Sequence, residues 1–97
     1  MTRTLYAEFT VKSGSEARVA DMMRELTENV RREPGNVLFL PCTRETDPRQ
    51  YFVFEVYRDE AAFQEHIGAE YGRTFNAELA RHIEGDGSDL TWLLPVD

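Results

Sequence analysis

At 97 residues the chain offers one domain's worth of sequence, 1–97, with a modest core. Eighteen Asp and Glu against eleven Lys and Arg leave a net charge of −7, which argues against nucleic acid and anionic membrane surfaces, since both are held through cationic contacts. No apolar stretch approaches a membrane span, the opening Met1-Thr2-Arg3-Thr4-Leu5-Tyr6 lacks the marks of a signal peptide, and the single Cys42 can form no internal disulfide, so the expectation is a soluble, cytoplasmic protein.

Residues 3–11 alternate, with Leu5, Ala7, Phe9 and Val11 on one side and Tyr6, Glu8 and Thr10 on the other; period two predicts a strand. Ser13-Gly14-Ser15-Glu16 fits a capping box, with Ser13 as the cap and Glu16 reaching back to it. The helix that follows carries Val19, Met22, Met23, Leu26 and Val30 at spacings of three and four, one narrow apolar stripe. Pro34 and Gly35 stop it near Glu33.

Residues 36–44 and 50–57 are strand-like and flank the turn signal Thr46-Asp47-Pro48-Arg49, which predicts a β-hairpin. Pro41 cannot donate to a ladder and is expected at a bulge or on the outer side of its strand. Asp59 is a natural cap for a short helix from Glu60 to about Ile67, which Gly68 interrupts. A longer helix is expected from about Glu70 to Ile83, with Tyr71, Phe75, Leu79 and Ile83 along one stripe. Leu90–Leu94 reads as the last strand, ended by Pro95.

The order is βαββαβ with the second helix broken in two. That is the split βαβ arrangement of the ferredoxin-like fold: an α+β domain with a four-stranded antiparallel sheet and its helices on one face. Strands two and three are apolar on both faces, through Val37-Leu38-Phe39-Leu40 and Tyr51-Phe52-Val53-Phe54. The helices can cover only one of those faces. A bare apolar layer is rare in monomers, so a face-to-face homodimer is expected.

Several residues are candidates for chemistry. Periodicity puts His66 beside Phe63 and Ile67, near the buried side of its helix. Gly72 falls in the middle of an apolar stripe that normally presents bulk, with Asn76 one turn on at the stripe's edge. A missing side chain there either opens a cavity or permits close helix–sheet contact. Glu55 interrupts an apolar strand and needs a partner or water; Arg44 on the paired strand could supply an ion pair, and the alternative is a substrate-binding carboxylate. Two histidines sixteen residues apart and one cysteine make no metal-ligand spacing.

Three segments carry a family resemblance. Glu33-Pro34-Gly35-Asn36 before an apolar strand resembles an "EPG" joint between helix one and strand two. Asp47-Pro48-Arg49-Gln50-Tyr51-Phe52 resembles the same family's hairpin turn. Phe54-Glu55-Val56-Tyr57-Arg58-Asp59-Glu60-Ala61-Ala62-Phe63, then His66, resembles its "YEVWRDEAAL..H" block. Together they resemble antibiotic biosynthesis monooxygenase domains over nearly the whole chain. The resemblance implies a dimeric α+β barrel with a pocket between the sheet and the second-half helices. It also implies oxygenation of a quinol or related aromatic phenol by molecular oxygen, without metal or flavin.

On that footing His66 is the expected general base, since histidine exchanges a proton near neutral pH. Tyr71, Asn76, Gly72, Phe75, Glu55 and Arg44 are the expected substrate-binding set. Relatives degrade haem or isomerise a quorum-signal sugar phosphate. The haem branch's Asn, Trp and His positions hold Ala7, His66 and Asn76 here, which argues against haem degradation. Glu70-Tyr71-Gly72 stands where many members begin the long helix with a "PH" pair and an aromatic. An isomerase or cyclase on the same scaffold, and a non-catalytic ligand-binding or stress-response dimer, are the alternatives.

Overall fold

The computed structural model describes residues 1–97. Strand β1 (Arg3–Thr10) lies inside the sheet, and its alternation sorts the two faces. Leu5, Ala7 and Phe9 are buried under the helices, while Tyr6 and Glu8 point the other way, half-buried. Helix α1 (Glu16–Arg31) follows, then β2 (Asn36–Arg44), β3 (Asp47–Tyr57), α2 (Glu60–Gly68), α3 (Glu70–Leu79) and β4 (Asp89–Leu93). The sheet order is β2-β3-β1-β4, and every neighbouring pair is antiparallel. This is the α+β ferredoxin-like fold expected from the element order, with both helical segments of the second half present. No helix is long and apolar enough to cross a membrane.

One core cluster joins Val19, Met22, Met23 and Val30 of α1 to Ala7, Phe9, Phe39, Tyr51 and Val53 of the sheet, with Leu79 and Ile83. A smaller one, Leu5, Tyr57, Ala62 and Phe63, lies beneath α2. All three helices therefore sit on one sheet face. The opposite face leaves Leu38, Leu40 and Phe54 42%, 44% and 41% exposed. There Leu40 pairs with Phe54, whose ring lies 5.7 Å from that of Tyr6.

Three local expectations need correction. Helix α1 begins at Glu16, so the N-cap is Ser15 and not Ser13. The Glu16 carboxylate accepts from the Gly14 amide at 2.5 Å, and the Ser15 hydroxyl contacts His82 Nδ1 at 3.0 Å instead of capping. Strand β3 starts at Asp47, leaving only Glu45-Thr46 between the hairpin strands; the Asp47 side chain accepts from the Arg49 amide at 3.0 Å. Pro41, by contrast, lies as expected on the outer side of its strand: β2 is an edge strand, the Phe39 carbonyl two residues earlier faces Arg31 off the sheet, and the register shifts fall elsewhere, at Asn36/Leu38 and Thr43/Arg44. Helix α3 ends at Leu79, four residues early. Ile83 is buried all the same, because it bridges Val11. Hydrogen bonds from Lys12 N–H to His82 O and from Glu84 N–H to Thr10 O draw this segment into extended pairing.

The α1–β2 joint is what positions the site. An added Cβ on Gly35 would stand 2.3 Å from the Cβ of Ala62 on α2. The Gly35 carbonyl accepts from the Arg58 amide at 2.8 Å, and the Asp59 side chain caps α2 by accepting from the Ala62 amide at 2.8 Å. Joint and helix are thus pressed together at backbone range. Gly35→Ala is expected to destabilise by roughly 1–3 kcal/mol, as overpacking does. At about 4–8 °C per kcal/mol for a domain of this size, a clear drop in Tm follows, readable by circular dichroism. An unchanged Tm would mean that α2 can yield at no cost.

Candidate active site

A cavity of about 310 Å³ lies between the sheet and helices α1, α2 and α3. Its walls are mostly apolar, including Ala7, Phe9, Val53, Leu79 and Phe75, with Ile67 and Leu90 toward the β4 edge. The turn Asp86-Gly87-Ser88 also contributes to the lining. Ala7 presents only a methyl group in mid-sheet. Gly72 presents nothing: the nearest neighbour of an added Cβ would be the His66 carbonyl oxygen, at 3.9 Å. Glycine there is not needed for close helix–sheet contact, and its missing side chain leaves room. The polar groups are few: Glu55, His66, Asn76, Asp86 and Ser88. No Lys or Arg lines the cavity.

Glu55 sits on the inner face of β3, opposite Phe39 and Leu5, and is 7% exposed. Arg44 is not its partner. The short hairpin pairs Arg44 with Asp47, so Arg44 is five residues along β2 from Phe39, about 17 Å away. Its guanidinium instead lies 5.3 Å from the Phe52 ring. Glu55 is satisfied by Tyr57, whose hydroxyl donates to Oε1 at 2.6 Å. Burial raises the Glu55 pKa above its ordinary 4.5; the Tyr57 hydrogen bond and nearby His66 oppose this, and the Glu33 charge adds to it. Burial, followed by the Glu55 charge, pushes the Tyr57 phenol far up, so it acts as a donor.

His66 faces inward from α2 with a side chain 16% exposed. Its ring lies between two carboxylates. Nδ1 is 3.0 and 3.2 Å from the oxygens of Glu33, and Nε2 is 3.7 Å from Glu55 Oε1. The Tyr57 ring is 4.8 Å from the imidazole. Since the carboxylates address opposite nitrogens, they do not converge with the ring on one cation, and no group of three such side chains forms a metal site.

The structure brings His66, Glu55, Gly72, Phe75 and Asn76 to one cavity. Tyr71 lies in a separate groove between α1 and α3, and its hydroxyl donates to Glu33. Sequence reading missed Glu33 and Tyr57. Glu33 read as a helix end and part of the joint, and Tyr57 as a strand end within the family block, neither with a role in a site. The contacts that matter, Glu33 to His66 and to Tyr71, bridge 33 and 38 residues of chain, and no local period encodes them.

The family model described as "Antibiotic biosynthesis monooxygenase" matches residues 2–78. No curated protein matches the sequence. Among solved structures, the chain is similar to an antibiotic biosynthesis monooxygenase, with TM-score 0.91, 23% identity and all of both chains covered. It is similar to Rv0793 from Mycobacterium tuberculosis, with TM-score 0.91, 18% identity and coverage of 100% of this chain and 97% of that one. It is also similar to SnoaB, a cofactor-independent oxygenase from Streptomyces nogalater solved as a point mutant, with TM-score 0.84, 18% identity and coverage of 99% and 94%. At these identities the structures speak to the fold.

The raised pKa of Glu55 has a consequence for stability. The folded protein keeps this proton at pH values where the unfolded chain releases it. Stability from Glu55 is therefore fully present below 4.5 and is lost as pH rises through the raised folded-state value. Glu55→Gln carries no such burden. Its Tm relative to the parent should become more favourable between about pH 4 and about pH 8. A difference that stays flat with pH would mean that burial imposes no penalty on the carboxylate.

Proposed function

Because the chain belongs to the antibiotic biosynthesis monooxygenase family, we propose that it is a cofactor-independent monooxygenase acting on a neutral quinol or related aromatic phenol. His66 is the general base. The observation that carries this reading is the placement of an imidazole nitrogen at the wall of an apolar cavity, beside a second proton-holding group, Glu55. An apolar slot with few convergent polar groups suits a flat aromatic ligand. Asn76 is within the lining and suits a substrate hydroxyl or carbonyl, while Phe75 and the space at Gly72 shape the slot.

The lining also bears on substrate charge. Its ionisable groups are Glu55, His66 and Asp86. An anionic ligand would meet carboxylates with no fixed cation to offset them. That weighs against a phosphorylated substrate, and so against the isomerase alternative on a sugar phosphate.

The reaction balances without a cofactor. His66 Nε2 takes the hydroxyl proton. The resulting phenolate passes one electron to oxygen, and the two radicals combine at a ring carbon to form the new C–O bond. The peroxide takes the proton back from His66. Loss of the ring hydrogen with O–O cleavage then releases water and leaves a carbonyl. Substrate plus oxygen yields quinone plus water, one oxygen atom entering each.

The oligomer is part of the same reading. Leu38, Leu40, Phe54 and Tyr6 form an apolar layer on the helix-free face. A second copy related by twofold symmetry covers such a layer with its own, giving a homodimer.

Oxygen uptake with benzene-, naphthalene- and anthracene-1,4-diols tests the activity. His66→Ala should lower kcat by about 10²–10⁴-fold, the range for removing a general base, with ligand binding retained. If no diol is turned over and His66→Ala only weakens binding, the protein is a binding module. Separately, sedimentation should give a dimer for the parent and a folded monomer for Phe54→Glu. A folded monomeric parent at high dilution would remove the case for a paired sheet.

A further inference from the structure

The two nitrogens of His66 open onto different surroundings. Nε2 faces Glu55 and the cavity, at 3.7 Å, beyond hydrogen-bond range. Nδ1 lies within range of both oxygens of Glu33, at 3.0 and 3.2 Å. An ionised carboxylate only accepts hydrogen bonds, so an imidazole nitrogen bonded to it must carry a proton. In the neutral ring the other nitrogen is then bare and basic.

Glu33 does not line the cavity. Its Oε2, the oxygen 3.0 Å from His66 Nδ1, also accepts from the hydroxyl of Tyr71, a residue of the groove between α1 and α3. Its backbone belongs to the joint that Gly35 presses against α2. Three separate parts of the fold thus converge on a carboxylate that no ligand in the cavity would touch.

We propose that Glu33 is the positioning residue for His66: it holds the ring as the Nδ1–H tautomer, presents bare Nε2 to the cavity, and balances the charge when Nε2 takes a proton. Tyr71 serves this arrangement by restraining Glu33 and has no contact with substrate. The catalytic half of the proposal rests on the monooxygenase reading above; the tautomer does not.

The tautomer can be read directly. Nitrogen-15 NMR of the histidine-labelled full chain, recorded as a pH series, distinguishes protonated from bare ring nitrogens. There are two histidines, and His82→Gln assigns the pair. His66 should carry its proton on Nδ1 in the parent and in Glu33→Gln, whose amide oxygen can still accept. The preference should be lost in Glu33→Leu. A parent protein with the proton on Nε2 overturns the proposal, whatever the substrate proves to be.

Steady-state oxygen uptake with the 1,4-diols supplies the second arm. Glu33→Gln keeps the tautomer but loses the charge, and should lower kcat by on the order of tenfold or more with KM unchanged, the pattern of an interaction made in the transition state. A parental kcat would overturn the charge-balancing role. If Glu33→Leu fails to fold, the parent and Glu33→Gln still decide both points. If no diol is turned over, the monooxygenase reading falls while the ring assignment stands or falls on its own spectrum.

Discussion

The closeness of the α1–β2 joint to helix α2 is the constraint on which the site depends. Gly35 has no side chain, and Ala62 has only a methyl group, so the two backbones meet at a range that any larger pair would block. The cap at Asp59 and the bond from Arg58 to Gly35 hold that approach in register. Glu33 lies two residues before the glycine and His66 one helical turn beyond the alanine. Their contact at 3.0 Å follows from the backbone approach. A packing constraint in the smaller core cluster thus becomes a geometric constraint on an imidazole.

The site is not optimised for stability. Glu55 occupies a position on the inner sheet face where an apolar residue would be cheaper, and burial disfavours its charge. Tyr57 compensates in part with a hydrogen bond. Ala7 and Gly72 likewise leave space where larger side chains would fill the core. A buried ionisable group beside an unfilled apolar volume is the combination expected where a fold gives up stability for chemistry. The rest of the inner face, from Phe9 and Tyr51 to Val53, packs conventionally against α1.

The same period-two alternation that builds this inner face builds the outer one. Each inward residue of β2 and β3 has outward neighbours, and there they are Leu38, Leu40, Phe54 and Val56. The helical layer lies on the other side and cannot reach them. The bare layer and the cavity are thus opposite products of one sheet, and a substitution in β3 acts on one or the other according to its parity.

Much of this was legible in the chain. Strand alternation, the apolar stripe of α1, the Pro34-Gly35 stop, the Asp59 cap and the βαββαβ order are local patterns, each set by periodicity or turn chemistry within a few residues. His66, Gly72 and Asn76 could be marked because helical spacing alone assigns a residue to a face. Local pattern failed where long-range pairing outweighed it. Ile83 continues the stripe of α3, yet the backbone there leaves the helix to bridge Val11. Ser13 looks like a cap, yet Glu16 satisfies the Gly14 amide. Arg44 looks like a partner for Glu55, yet hairpin register separates them. The sequence by itself determined the elements and the faces of their side chains, because those depend on neighbours along the chain. Only the tertiary structure decided that Glu33 would grip His66 and that Tyr71 would turn from the cavity to hold Glu33, because those contacts depend on how closely distant backbones can approach.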